Sequence, residues 1–300
     1  MSRIALNPVA ENPLKILLLA ARPKTLVAAL VPVSCATALC WNINGLLTWE
    51  LSLFALLSAM MIQIATNYFN DLLDFKKGAD AKEKRSGPRR FSGDGEGVRK
   101  LLTLAAFASL ALAVVFSLPL IWRGGWVIVA IGIPSLYFSY GYTGGPFPLA
   151  YKGLGDLFVF IFFGLIATLG VCYLQNRTLI FPHIILAIQI GFYNVMLITI
   201  NNLRDIDGDR KSSKKTLAVR IGESWTRRQI LFMLIAAGSI NFYWLQLFEN
   251  IFAVQIPVLI IGIIIARKLF REKVNFNSLL ALSALQLLVF AFGFCAGAFF

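Results

Sequence analysis

Charge is scarce in this sequence and histidine is almost missing. Only 14% of the 300 residues are charged, 15 of them acidic, and His183 is the sole histidine. A soluble domain carries about 25% charged residues, so a chain this poor in charge does not clothe an ordinary water-facing surface. Apolar residues replace them, at 58% of the total and a mean hydropathy of +0.74. They come in runs of about 20, the length with which an α-helix crosses a hydrocarbon core of about 30 Å. Cysteine is scarce too. Cys35, Cys40, Cys172 and Cys295 sit inside apolar runs without the spacing of a disulfide framework or a metal motif, and they read as small core residues. The first thirteen residues lack the apolar core and cleavage site of a secretory signal, so the N-terminus is expected to remain.

The pattern predicts an all-α polytopic membrane protein of about nine transmembrane helices bundled around a cavity that opens to the cytoplasm. The expected spans cover residues 25–41, 51–70, 101–122, 126–140, 157–174, 180–200, 229–248, 251–266 and 279–299, preceded by a half-turned entry at 14–25. Residues 1–300 are expected to form one intramembrane domain with two pseudo-repeated halves. Lysine and arginine crowd the N-terminus and the second, sixth and eighth inter-span loops, with Lys152 in the fourth, whereas Arg123 and Arg177 are alone on the other side. Cytoplasmic loops carry such an excess, so the N-terminus and both acidic stretches described below are expected on the cytoplasmic side of a bacterial cytoplasmic (inner) membrane. The net charge of +13 has the same origin, and nucleic acid is not an expected partner. The polar loop at about 75–100 is too long for a mere connection and is expected to carry function.

Two stretches stand apart because apolar runs end in them abruptly in acid, amide and base. The first is Asn67-Tyr-Phe-Asn70-Asp71-Leu-Leu-Asp74-Phe-Lys-Lys77-Gly-Ala-Asp80, and the second Asn201-Asn202-Leu-Arg204-Asp205-Ile-Asp207-Gly-Asp209-Arg210. If the preceding helix continues, Asn67, Asn70, Asp71 and Asp74 share one face at i, i+3, i+4 and i+7. Carboxylates at a helix end suit Mg2+, which takes one or two protein carboxylates and fills its shell with water and phosphate oxygens. Two acidic clusters therefore imply two metal positions, and acid and base together suit a diphosphate with its metals. A divalent-cation or organic-anion transporter would also place acids near membrane helices, although its ionisable residues belong near mid-span. His183, near the outer start of the sixth span, lies away from both clusters and is given no catalytic role.

These two stretches resemble the aspartate-rich motifs of the UbiA superfamily of intramembrane aromatic prenyltransferases. Tyr142 to Asp156, Lys215 to Gly222, Arg22-Pro23-Lys24-Thr25 and Gly87-Pro88 extend the likeness over roughly residues 20–230, most closely to the branch that prenylates 1,4-dihydroxy-2-naphthoate in menaquinone biosynthesis. Where the superfamily often has an acid eight residues after the asparagine, this chain has Gly78, and its third acid is Asp80. The resemblance implies a polyprenyl diphosphate donor, a dihydroxynaphthoate acceptor that loses its carboxylate, Mg2+, and the lipid bilayer as surroundings. It implies metal ligation by Asn70, Asp71, Asp74, Asp80, Asp205 and Asp209, and substrate contacts from Asn67, Asn201 and Asn202. Lys152, Arg22, Lys77 and Lys215 are expected to stabilise the leaving diphosphate, and Lys152 or Arg204 to meet the acceptor carboxylate. Tyr142 is expected either to position or deprotonate the acceptor or to sit at the interface as such tyrosines commonly do. Asp156 has the alternative of an N-terminal helix acid. An acceptor of the 4-hydroxybenzoate type stays open.

Overall fold

A computed structural model describes residues 12–78, 89–248 and 251–299; Asp80 and Gly87-Pro88 lie outside them. Every regular element among these residues is helical. In order they are α1 (Pro13–Ala20), α2 (Val27–Asn44), α3 (Trp49–Lys76), α4 (Glu96–Gly124), α5 (Trp126–Gly141) and α6 (Gly155–Val159), which runs through a π-helical turn at Phe160–Ile166 into α7 (Ala167–Asn176). Then come α8 (Phe181–Arg204), the short α9 (Ile206–Lys211), α10 (Leu217–Trp244), α11 (Ile251–Leu269) and α12 (Phe276–Phe299). In hydrocarbon a helix satisfies its own backbone polar groups, which is why each long apolar run takes this form. Helices α2, α3, α4, α8 and α12 and the α6–α7 rod are long and apolar enough to cross a membrane. These six lie in six of the nine expected spans. At 16 residues α5 is shorter.

Helix α8 is the centre. It packs against α2, α7, the π-helical turn, α10 and α12, and Leu186, Ile190, Met196 and Ile200 along it are fully buried. The main core joins these residues to Val31 and Cys35 of α2, Ile230 and Trp244 of α10 and Leu287, Phe290 and Phe294 of α12. The rim is as apolar as the core: Leu104, Trp122, Phe232 and Phe292 are exposed, as befits side chains that meet lipid. At Gly164 the rod touches α8 backbone to backbone, because a Cβ there would stand 2.5 Å from the Gly191 Cα. Close approach through small residues is the usual way membrane helices pack.

Two local features shape the end of the bundle that holds the acidic stretches. The first is the elbow between α1 and α2, where Arg22 takes a left-handed backbone conformation (φ 51°) before the turn at Pro23–Thr25. Such a conformation is uncommon for a non-glycine residue and persists when its surroundings fix it. Asn67 does so, donating to the Ala21 carbonyl at 2.8 Å and to Thr25 Oγ1 at 2.9 Å, while the Tyr68 hydroxyl donates to the Leu17 carbonyl. The second is Gly222, whose φ of 80° breaks α10 near its start. Thr216 caps that first segment by accepting from the Val219 N–H.

Candidate active site

Helix α3 continues past Asp74 to Lys76, and α8 runs to Arg204 before the chain turns into α9. Both stretches line one cavity of about 120 Å3. From α3 it receives Asn70 and Asp74, from the α8–α9 end Asn201, Asn202, Arg204, Asp205 and Asp209, and from loops Arg22, Thr25, Arg90, Tyr142, Thr143, Lys214 and Thr216.

The first stretch divides its work. Residues 67, 70, 71 and 74 span an arc of about 100° on α3, with Asn70 and Asp74 at one edge and Asn67 and Asp71 at the other. Asp71 is buried and turned away from the cavity: it accepts from the N–H of Phe91 at 3.0 Å, the N–H of Ser92 at 2.9 Å and the Ser92 hydroxyl at 2.6 Å. Asp74 faces the cavity. It pairs with Arg90 at 2.7 Å, accepts from the Tyr151 hydroxyl at 2.9 Å and lies 4.0 Å from Lys214 Nζ. Asn70 accepts from the Thr143 hydroxyl. Lys77 reaches the Thr143 carbonyl at 2.5 Å and lies over the Tyr151 ring, so it braces the cavity wall from behind.

The second stretch is looser. Arg204 forms a two-pronged pair with Asp205 at 2.8 and 2.7 Å and also donates to Asn201. Asp209 lies 3.9 Å from Lys214 Nζ, and Asp207 points into solvent, 3.6 Å from Arg210. Lys214 is therefore within reach of Asp74 and Asp209 at once: one protein cation bridges the two acidic stretches.

Behind the cavity, Asp156 is buried among neutral partners. Thr199 and Gln229 donate to it at 2.9 and 2.8 Å, and Asn202 reaches it at 3.4 Å. The Tyr142 phenol sits in front of Gly155, where an added Cβ would meet its oxygen at 2.9 Å. Burial first, and then the carboxylates of Asp156, Asp74 and Asp209, push the phenol upward, so it keeps its proton and acts as a hydrogen-bond donor.

Of the residues expected from sequence, Arg22, Asn70, Asp74, Tyr142, Asn201, Asn202, Arg204, Asp205 and Asp209 come together around the cavity. Asn67, Asp71 and Lys77 hold its walls. Lys152 is exposed, with its ammonium near the Phe147 ring, and Lys215 is exposed beside the inward-turned Lys214; neither side chain lines the cavity. Sequence reasoning assigned no site role to Thr25, Arg90, Thr143, Lys214 or Thr216. The Arg89-Arg90 and Lys214-Lys215 doublets were the available signals.

The oxygen donors suit a hard dication: Asp74, Asp205 and Asp209 offer carboxylates, Asn70 and Asn201 offer amides, and neither cysteine nor histidine lines the cavity. The Asp74–Asp209 pair already shares the Lys214 ammonium, so charge between the stretches is matched by a cation.

Known proteins are similar to this chain in sequence and in fold. A 1,4-dihydroxy-2-naphthoate octaprenyltransferase of Mycobacterium leprae (strain TN) is 35% identical over 221 residues, covering 74% of this chain and 74% of that one. Its namesake in Escherichia coli (strain K12) is 36% identical over 252 residues, with 80% of each covered. In fold, the chain matches a UbiA homolog from Archaeoglobus fulgidus bound to GPP and Mg2+, with a TM-score of 0.63 and 16% identity over 94% of this chain and 99% of that one. Residues 29–282 match the UbiA prenyltransferase family, and the chain belongs to that family.

Proposed function

We propose that the protein transfers a polyprenyl group from its diphosphate to 1,4-dihydroxy-2-naphthoate, with loss of the ring carboxylate as CO2, giving a demethylmenaquinol. The observation that carries this reading is the single cavity in which Asp74 and Asp209 share one ammonium among Arg22, Arg90 and Arg204. Acid opposed to base across a small polar pocket suits a diphosphate and its counter-ions. The two relatives' names supply the acceptor, and the GPP and Mg2+ of the A. fulgidus homolog support the donor and the metal.

Asp74 and Asn70 on one side and Asp205, Asp209 and Asn201 on the other would hold Mg2+. When bound, the metal supplies positive charge to the diphosphate oxygens as the allylic C–O bond breaks. Arg22, Arg90 and Lys214 add fixed positive charge to the same leaving group, which is electrostatic stabilisation where charge develops. The allylic cation left behind reacts with water unless water is kept out, and the apolar bundle beneath the cavity keeps it out. The electron-rich ring attacks, a C–C bond replaces the C–O bond, and the carboxylate leaves as CO2 while its electron pair returns to the ring. Tyr142, protonated, donates to an acceptor oxygen. Arg204 is placed to meet the acceptor carboxylate. The acidic end of the bundle faces the cytoplasm of a bacterial inner membrane, by the loop charges, and the prenyl tail runs sideways toward lipid.

The test is an assay of the purified chain with a prenyl diphosphate, Mg2+ and two carboxyl-labelled acceptors. Labelled CO2 and prenylated quinol are expected from dihydroxynaphthoate, with little product from 4-hydroxybenzoate. Prenyl-hydroxybenzoate with its label retained, and nothing from the naphthoate, would overturn the acceptor.

A further inference from the structure

At the opposite end of the bundle the structure gathers the residues that the sequence left scattered. Cys40 of α2, Cys172 of α7 and His183 of α8 are all completely buried, and their sulfur and nitrogen ligand atoms lie within 4.8 Å of one another. Among the described residues this is the only group of three acidic, thiol or imidazole side chains whose ligand atoms converge so closely. His183 and Arg204 are 21 residues apart on α8, which puts the cluster about 30 Å from the acidic cavity. It belongs to no part of the prenyl-transfer site.

We infer that Cys40, Cys172 and His183 form a binding site for one zinc ion that ties α2, α7 and α8 together at the end of the bundle remote from catalysis. The donor set decides the metal. Two sulfurs and one imidazole nitrogen are the ligands of a soft or borderline ion, whereas Mg2+ takes oxygen. Charge decides between the soft ions. Two thiolates and a neutral imidazole around Zn2+ sum to zero, so the filled site carries no net charge into the apolar core. A monovalent copper ion would leave it negative, at the cost of burying an unpaired charge. Binding exchanges two thiol protons for the metal.

The surroundings suit this use. The Ile180 N–H lies 3.3 Å from His183 Nδ1, and the Asn176 amide nitrogen lies 3.4 Å from Nε2. Metal ligation takes the lone pair of one nitrogen of the neutral ring. Asn176 sits at the boundary between the buried cluster and the exposed turn at 177–180, so a water entering from that turn would supply a fourth ligand. Cys40 and Cys172 each lie four residues from the last residue of their helix, so the path for an ion is short. The other cysteine pair, Cys35 and Cys295, has no histidine beside it and serves as a control.

The experiment uses the full chain, purified in detergent under reducing conditions, stripped with chelator and titrated with Co2+ as the spectroscopic stand-in for Zn2+. One equivalent of Co2+ should produce thiolate-to-cobalt charge-transfer absorption in the near ultraviolet, and Zn2+ should displace it. The signal should persist in Cys295→Ser, Asp74→Asn and Asp209→Asn and vanish in Cys172→Ser. If Cys172→Ser does not fold, the wild type decides alone: release of two protons per bound ion supports the site. Absence of the charge-transfer band, its survival in Cys172→Ser, or a Cys40–Cys172 disulfide in the untreated protein by intact mass would overturn the proposal.

Discussion

The two acidic stretches share a vocabulary of asparagine, aspartate and a basic neighbour, yet the structure uses them differently. At the end of α3 the carboxylates are committed to protein partners, Asp71 to the amides of Phe91 and Ser92 and Asp74 to Arg90 and Tyr151. Around α9 the pairing is different: Asp205 is held by Arg204, Asp207 lies in solvent and Asp209 is reached by Lys214 from 3.9 Å. The first stretch thus anchors the loop at 90–92, while the second pairs within itself and with Lys214. Similar motifs therefore do not imply equal work, and spacing alone does not separate a carboxylate that binds a ligand from one that holds a loop.

The largest effect is expected where the two stretches meet. Asp74→Ala and Asp209→Ala should each lower turnover by about 100- to 1,000-fold, the range for losing one group that stabilises developing charge, with unchanged solubility and circular dichroism. Near-wild-type rates in both would break the shared-cavity reading. Asp71→Asn comes next and sharpens the contrast. It leaves the Phe91 and Ser92 donors with a weaker partner, for a loss of about 1–3 kcal/mol. The rate should fall about tenfold and the 89–92 segment become more open to protease, while the Mg2+ concentration for half-maximal activity stays put. A large rise in that concentration would make Asp71 a ligand instead.

Tyr142→Phe should cost several-fold in rate by a constant factor across pH. Because the phenol's pKa is raised, its ionisation lies above the ordinary tyrosine range of about 10, and the alkaline limb of the rate profile should not move. Disappearance of that limb in the variant would assign Tyr142 as a base. The smallest effect is expected for Asp207→Ala, within about twofold, since surface substitutions away from buried networks stay near ±0.5 kcal/mol.

Much of this contrast could not be read from the sequence. The helices could: apolar runs of membrane length leave the backbone few alternatives, and the expected 25–41 and 180–200 spans match α2 and α8 closely. The cavity was legible on its helical side, where Asn70, Asp74, Asn201 and Asp209 lie at the ends of those runs. Its loop side was not. Lys214 and Lys215 are adjacent and chemically alike, and only the turn after α9 decides which one faces inward. Arg90 and Thr143 reach the site from loops whose paths depend on tertiary packing. The Cys40, Cys172 and His183 group was invisible for the same reason: its members are 132 and 11 residues apart in sequence and meet only when three helices pack.

The π-helical turn at Phe160–Ile166 acts as a phase correction in a rotating register. Asp156 and Cys172 are sixteen residues apart, and in an unbroken α-helix they would point about 160° away from each other. A wide turn takes up about one extra residue, which removes about 100° and leaves the two side chains about 60° apart. The same rod can therefore offer Asp156 to Thr199 and Asn202 near one end of α8 and Cys172 to His183 at the other. Deleting one residue from this turn would preserve the helix and its apolar character while dialling one end of the rod out of step with its neighbour. A change that a hydropathy profile barely registers would then uncouple the two ends of the protein.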